Sequence, residues 1–471
     1  MELLKKIPIF IIFLLGLLLM LFSILNVFYL FNWITFLFCI CACVNSLFLF
    51  SAGWYFLKNT ETLSFKKSNA SPLVAIVCTC SGEDEEIVKK TLDSMGKIRY
   101  KNKNLYLLDD SKGGSLQKYC KGNKIQYITR KNRENFKAGN LNNFLFNYCK
   151  EDYLLIFDKD DFKLVDPNII NELLPFFEDK KIAYIQTKKT TIHGSLFENA
   201  IKETNSLFYN LIQPINNKAD AALFGGSLAL MDTRILKKLG GFPNYLIEDI
   251  AYSFNVLFKG YKGKYINKSY VLSYKIENFS EFQKQQFRYN FSNTELLLKF
   301  YLKNFFKIPL RLHKTFILQF LGLHFLSLSQ SISAIFLVFF ILFLPFFYYN
   351  ILILFVFLFP LAVLIFSKEY TNSYKIGIVA YLLNQSLIFT RLLASFKAVL
   401  YIKPINYGVT GIGKEKIKLK EVIKRSYLEI ICFIVFLTPL FFVSYNPAYY
   451  FLIIWNASLF LTTPLFLHLF G

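Results

Sequence analysis

Four groups of residues between positions 79 and 289 have the types and spacing to do chemistry. Asp109 and Asp110 close the apolar run LYLLD and precede Gly113 and Gly114, which let the backbone turn sharply. Asp158, Lys159 and Asp160 follow the run YLLIF, and carboxylates at i and i+2 with a turn between them can converge on one hard cation. Glu248 and Asp249 open an apolar-periodic stretch through Ile250, Phe254 and Leu257, where Asp249 reads either as a proton acceptor or as a helix cap. A helix N-terminus favours the ionised carboxylate, which limits its basicity. Arg288 and Tyr289 lie in QQFRY: a guanidinium suits an oxyanion through paired hydrogen bonds, and an aromatic ring offers a flat apolar face. The same segment also reads as the charged face of an amphipathic surface helix, and a lone D-D or D-x-D as an ordinary turn.

Such residues need a scaffold that gathers them. From about Pro72 to Lys307, short apolar runs (VAIVC, LYLLD, YLLIF) alternate with helical patterns such as EEIVKKTLDSM, which predicts parallel strands joined by crossover helices. Each acidic cluster then follows a strand or opens a helix, at the carboxyl ends of strands where α/β sheets place ligands.

The remainder of the chain is of another kind. Of 471 residues 54% are hydrophobic, with 54 Phe, which is too apolar for a soluble protein of this size. Uncharged runs at 8–29 and 33–56 are each long enough to cross a hydrocarbon core of about 30 Å. Further spans are expected near 322–347, 351–366, 427–443 and 449–470, whereas 376–402 carries Arg391 and Lys397 and reads as an interfacial helix, with a seventh span as the alternative. The domain plan is therefore two transmembrane helices in 1–57, a cytoplasmic domain in 70–307, and interfacial plus about four transmembrane helices in 308–471. The net charge of +22 is read as retention of basic loops on the cytoplasmic side of a cell membrane, with anionic lipids as neighbours, and not as a nucleic-acid surface. Eight cysteines without a C-x-x-C pair argue against structural zinc and against a disulfide framework.

Taken jointly, the motifs resemble the family 2 glycosyltransferases, and more narrowly the membrane-embedded processive branch that includes cellulose synthase and hyaluronan synthase. Lys137-Ala138-Gly139-Asn140-Leu141-Asn142 resembles that family's K-A-G-x-L-N donor segment, Gln186-Thr187 its Q-T-P, and Phe224-Gly225-Gly226-Ser227 its F-x-G-S turn, followed by GGF at 240–242. Ile247-Glu248-Asp249 stands where the family has T-E-D, and Gln285 to Tyr289 where it has Q-x-x-R-W. Tyr407-Gly408-Val409-Thr410, with Lys414 beyond, resembles the gating loop, here placed at 403–416.

The resemblance implies a nucleotide-diphospho-sugar transferase domain of the GT-A type inserted in a multi-span helical membrane domain. It implies a donor held by Thr79, Glu83, Asp109, Asp110, Lys137 and Arg288, and Mg2+ or Mn2+ on Asp158 and Asp160. It makes Asp249 the general base with Glu248 beside it, and places the acceptor at Gly226, Ser227, Gln285 and Tyr289. The implied reaction is inverting transfer from a UDP-hexose such as UDP-glucose to a growing β-linked polysaccharide, coupled to translocation. A non-processive enzyme acting on a lipid-linked acceptor is the alternative, and an inactive transporter or scaffold a further one; accessory subunits are left open. Three departures, Ile247 for Thr, Tyr289 for Trp, and Thr79-Cys80-Ser81-Gly82-Glu83 where T-Y-N-E is usual, touch the acceptor contacts and the nucleoside pocket.

Overall fold

The computed structural model describes residues 71–111, 114–274, 276–320, 373–401, 418–437, 454 and 457–470. Its first strand, β1 (Val74–Cys80), is buried along its whole length, as a strand covered on both faces must be. Helix α1 (Glu85–Gly96) follows, with the Asp84 side chain accepting from Glu86 N at its start. Then come β2 (Lys103–Asp109), α2 (Ser115–Gly122), β3 (Gln126–Thr129), α3 (Phe136–Asn147) and β4 (Tyr153–Asp158). Strands β2 and β4 flank β1, and all three run parallel, as does β3 on β2.

The chain continues through β5 (Lys163–Leu164), α4 (Ile169–Leu173), β6 (Ile182–Thr187), β7 (Thr190–Thr191), α5 (Leu196–Leu207) and α6 (Gln213–Asn217). It returns through β8 (Ala229–Asp232), α7 (Thr233–Lys238), α8 (Glu248–Phe258), β9 (Lys262–Ile266) and β10 (Val271–Ser273). The main sheet has the order β3-β2-β1-β4-β8-β6-β9, and β5-β10-β7 form a small second sheet. The three runs read as parallel strands, β1, β2 and β4, are parallel, whereas β8, which the sequence reading did not identify, runs antiparallel between β4 and β6. All four of its residues are buried, and a fully buried run carries no periodicity from which direction could be read.

Helices cover both faces of the sheet. Ile76, Cys78, Leu155 and Phe157 pack with Val88 and Leu92 of α1 on one side, while Ala75, Val77, Leu154 and Ile156 pack with Leu141 and Phe144 of α3 on the other. Each such buried side chain contributes about 1.5–3 kcal/mol, so the strand ends are held by a stiff platform.

Past the sheet lie α9 (Phe279–Leu296), α10 (Leu310–Phe320), α11 (Tyr374–Gln385), α12 (Ile388–Val399), α13 (Leu419–Arg425), α14 (Tyr427–Leu437) and α15 (Thr462–Phe470). Phe254 of α8 meets Phe316 of α10 at a ring separation of 4.2 Å. Helix α11 lies against α5, and α12 against α9. Among the described residues no single helix is long and apolar enough to cross a membrane; α11 and α12, bent by 43° at their junction, pass that test only as a pair. The expected spans at 8–29, 33–56, 322–347 and 351–366 lie outside the described residues, as do 438–453, so that the spans expected at 427–443 and 449–470 are described only in part, and the loop residues Tyr407, Val409, Thr410 and Lys414.

Candidate active site

Parallel pairing brings the acidic clusters to one edge. Thr79 is in register with Leu108 and Asp158, and Cys80 with Asp109, so the ends of β1, β2 and β4 stand side by side. Asp109 accepts from Ser111 N at 2.6 Å, from Ser111 Oγ at 2.9 Å and from Tyr127 OH at 2.8 Å. Arg130 grips Asp110 with two parallel bonds, Nε to Oδ1 at 2.9 Å and Nη2 to Oδ2 at 2.7 Å. It also donates to the carbonyls of Glu134 and Phe136, each at 2.7 Å. Both expected donor-binding carboxylates are thus engaged by the protein, and Arg130 ties β2 to the start of α3. Glu83, also expected at the donor, accepts from Ser81 N and pairs with Lys159 at 2.8 Å.

Helix α3 is clamped at each position of its motif. A Cβ on Gly139 would lie 2.1 Å from Glu134 O, so only glycine fits beneath that turn. Asn140 Nδ2 donates to Leu108 O at 3.0 Å, and Asn142 both donates to Phe242 O and accepts from Phe242 N at 2.8 Å. Lys137 is thereby aimed across the sheet edge, where it pairs with Asp158 and donates to Gly226 O at 2.9 Å.

The Gly226 turn is built by Gln186. Its Nε2 donates to Ser227 O at 2.9 Å and its Oε1 accepts from Gly225 N at 2.8 Å, while Thr187 Oγ1 donates to Leu228 O at 2.7 Å. Gly226 has φ +90°, and a Cβ there would stand 2.9 Å from Asp249 Oδ2. A positive φ and the absence of a side chain together let the carboxylate of α8 approach the turn.

Asp249 is not the helix cap. Ile247 occupies that position, and Asp249 Oδ1 accepts from its neighbour Ile250 N at 2.8 Å. Burial, then the charge of buried Glu248, push its carboxyl up to about 7, against the Ile250 N–H and Lys137. This corrects the expectation that the helix end would keep Asp249 weakly basic: desolvation and a like charge outweigh it. Glu248 is itself pushed up by burial.

The second cluster has members that the sequence did not single out. Asp161 is fully buried, accepting from Ser273 Oγ and, at 2.9 Å, from Asp158 N. Lys189, two residues beyond β6, places Nζ 3.0 Å from Asp158 Oδ2, 3.2 Å from Asp161 Oδ1, 3.8 Å from Asp160 Oδ1 and 3.2 Å from Ser227 Oγ. Burial would raise Asp158, but the ammoniums of Lys137 and Lys189 hold it well below the usual carboxylate range. Asp160, less well paired, is pushed up to about 6 by burial despite Lys189. Burial would lower Lys189, and Asp160, Asp161 and Asp158 hold it charged well above the ordinary lysine range.

These donors do not fit the Mg2+ or Mn2+ expected on Asp158 and Asp160. Both oxygens of Asp158 are taken by ammoniums, Oδ1 by Lys137 and Oδ2 by Lys189, which also lies 3.2 Å from Asp161 and 3.8 Å from Asp160.

On α9, Arg288 lies 6.0 Å from the centre of the Tyr289 ring, whose side chain is 37% exposed. Gln285 Oε1 is buried with no partner among the described residues, and Gln286 meets Arg391 of α12 at 3.5 Å. Arg391 also donates to Asn384 Oδ1 at 2.7 Å. Basic residues on and just after this helix have acidic partners, Lys284 with Glu281 at 2.8 Å and Lys299 with Glu295 at 2.6 Å.

Known proteins align with this arrangement. Residues 153–367 match the family described as glycosyl transferase family group 2. The UDP-forming cellulose synthase catalytic subunit of Xanthomonas axonopodis pv. citri is 28% identical over 193 residues, 39% of this chain and 26% of that protein. A probable glucomannan 4-beta-mannosyltransferase 7 of Oryza sativa is 25% identical over 188 residues, 38% of this chain and 32% of its own length. The chain thus spans about a quarter to a third of these two curated relatives. Among solved structures, the mannosyltransferase PcManGT from Pyrobaculum calidifontis, in complex with GDP-Man and Mn2+, superposes with a TM-score of 0.54 at 16% identity, covering 74% of this chain and 98% of that one. Residues 153–367 are thus similar to the family 2 glycosyltransferases, and the mixed sheet is GT-A-like.

Proposed function

We propose that this domain transfers a hexosyl group from a nucleotide-sugar, with inversion, to an acceptor hydroxyl, and that the chain builds a β-linked polysaccharide from a UDP-hexose. The observation that carries this reading is the meeting of Asp249, Gly226, Lys137 and Asp158: the candidate base, the turn beside it and the donor-side charges share one small space. Asp249 takes the acceptor proton, and the freed oxygen attacks the anomeric carbon from the face opposite the diphosphate. A carboxyl near 7 is matched to that work at neutral pH. Arg288 and Lys137 supply positive charge for the departing diphosphate, and Tyr289 offers its exposed ring to the acceptor sugar. No step is routed through a divalent cation, because ammoniums occupy Asp158.

The acceptor is a growing polysaccharide, with a lipid-linked sugar as the second reading, favoured by the smaller Tyr289 platform. Ile247 does not favour it, since its side chain packs into the apolar cluster of Leu223, Phe254 and Phe316 rather than toward the turn. The domain is placed at the cytoplasmic face of a cell membrane, with the apolar runs as its anchors and the conduit for product. The wholly exposed Phe306 and the 88% exposed Leu310, at the start of α10, suit an interfacial position beside lipid. The test is incubation of the purified chain in lipid with labelled UDP- and GDP-sugars. Gel-retarded label supports the polymer reading, label confined to the lipid extract supports the second, and absence of transfer from every donor counts against both.

A further inference from the structure

The strongest unexplained feature of the site is Lys189. Its ammonium is surrounded by four oxygens, from Asp158, Asp160, Asp161 and Ser227, at 3.0–3.8 Å. Lengths near 3 Å are those of ammonium hydrogen bonds, whereas Mg2+ demands oxygen at about 2.0–2.1 Å in an octahedron. A divalent ion bound to the same carboxylates would have to lie against Nζ, so lysine and metal compete for one place. Nothing local forces the lysine there: it sits on the short link between β6 and β7, and its neighbour Lys188 is not among the ion pairs of this cluster. The enclosure is built around it, since Asp161 is fixed by Ser273 and by Asp158 N.

We infer that Lys189 is a built-in cation that takes the place of the divalent metal at Asp158, Asp160 and Asp161, so that this transferase works without one. The inference rests on the reading of the cluster as a donor-diphosphate site. Of the contacts of Nζ, that to Ser227 Oγ is to a neutral hydroxyl, so the arriving diphosphate can take that position without uncovering a carboxylate. Lys189 then spans carboxylate and phosphate, the role an ion would otherwise fill.

Two measurements on the full chain in lipid, stripped with chelator, decide it. Mn2+ alone is titrated and followed by electron paramagnetic resonance: the wild type is expected to leave the ion free at millimolar concentration, and Lys189→Met to bind it at least about tenfold more tightly. Transfer from the labelled donor is then timed with EDTA or with Mn2+. The wild type is expected to keep its rate in EDTA, and Lys189→Met to fall by about 100-fold and to recover in part with Mn2+. Tight Mn2+ binding by the wild type, absence of Mn2+ binding by both proteins, or a wild-type rate abolished by EDTA and restored by Mn2+ would each overturn the inference. Should Lys189→Met not fold, the two wild-type measurements still decide it. A chain that transfers no sugar under any condition would count against the proposed function, while the resonance titration would still judge Lys189.

Discussion

Asp249 carries the most specific predictions at the scale of single residues. Its carboxyl, raised to about 7, must be ionised to accept a proton, so transfer should rise with pH through about 7 and fall about tenfold per unit below it. The same shift has a consequence for stability. The folded chain holds this proton more tightly than the unfolded chain, so the stabilisation it gives is complete below the unfolded value of about 3.9 and is lost as pH rises through about 7. Asp249→Asn, which cannot ionise, should therefore melt higher than the wild type, by a margin that widens between pH 4 and pH 7 and is constant above. Thermal unfolding across pH measures this, and equal melting at pH 8 would refute it. Gly226→Ala should cost about 1–3 kcal/mol, because an L-residue is strained at φ +90° and its methyl would press on Asp249. Urea unfolding and turnover should fall together in that variant. The carboxylates were legible as residue types in a pattern, but their partners were not. Arg130 and Lys189 find the acidic clusters only through the tertiary fold, and Lys188-Lys189 stands in sequence as an ordinary lysine pair after Gln186-Thr187.

At the scale of elements, α3 is the strut that sets the donor side. Its hold on the Phe242 backbone through both ends of the Asn142 amide predicts that Asn142→Ala loses about 1–3 kcal/mol in urea unfolding, since two backbone groups are left without partners. Turnover should fall in parallel, because Lys137 rides on the same helix; wild-type stability in the variant would contradict this. Strands β1, β2 and β4 were readable as apolar runs bounded by acidic turns. Strand β8 was not, because four buried residues give neither length nor alternation, and its reversed direction depends on the turn that Gln186 builds. The segment expected as one interfacial helix is two, α11 and α12, joined at a bend and held by Arg391 and Gln283 against the helix that carries Arg288. The sequence showed an apolar segment interrupted by Arg391 and Lys397 but not the break.

At the scale of the whole molecule, the proposed membrane placement rests on the net charge of +22 and the apolar runs outside the sheet. Alkaline carbonate washing of cell membranes should leave the protein in the pellet, and its release to the supernatant would contradict that placement. The class of the fold followed from alternating strand and helix patterns, and the mixed sheet is shared with PcManGT at an identity too low to carry donor choice across. The most direct measurement is the initial rate of label transfer from a UDP-hexose at pH 8, wild type beside Asp249→Asn, both confirmed folded. A fall of at least about 100-fold in the variant is the predicted result; a variant that transfers sugar at the wild-type rate would contradict Asp249 as the base and the site built around it.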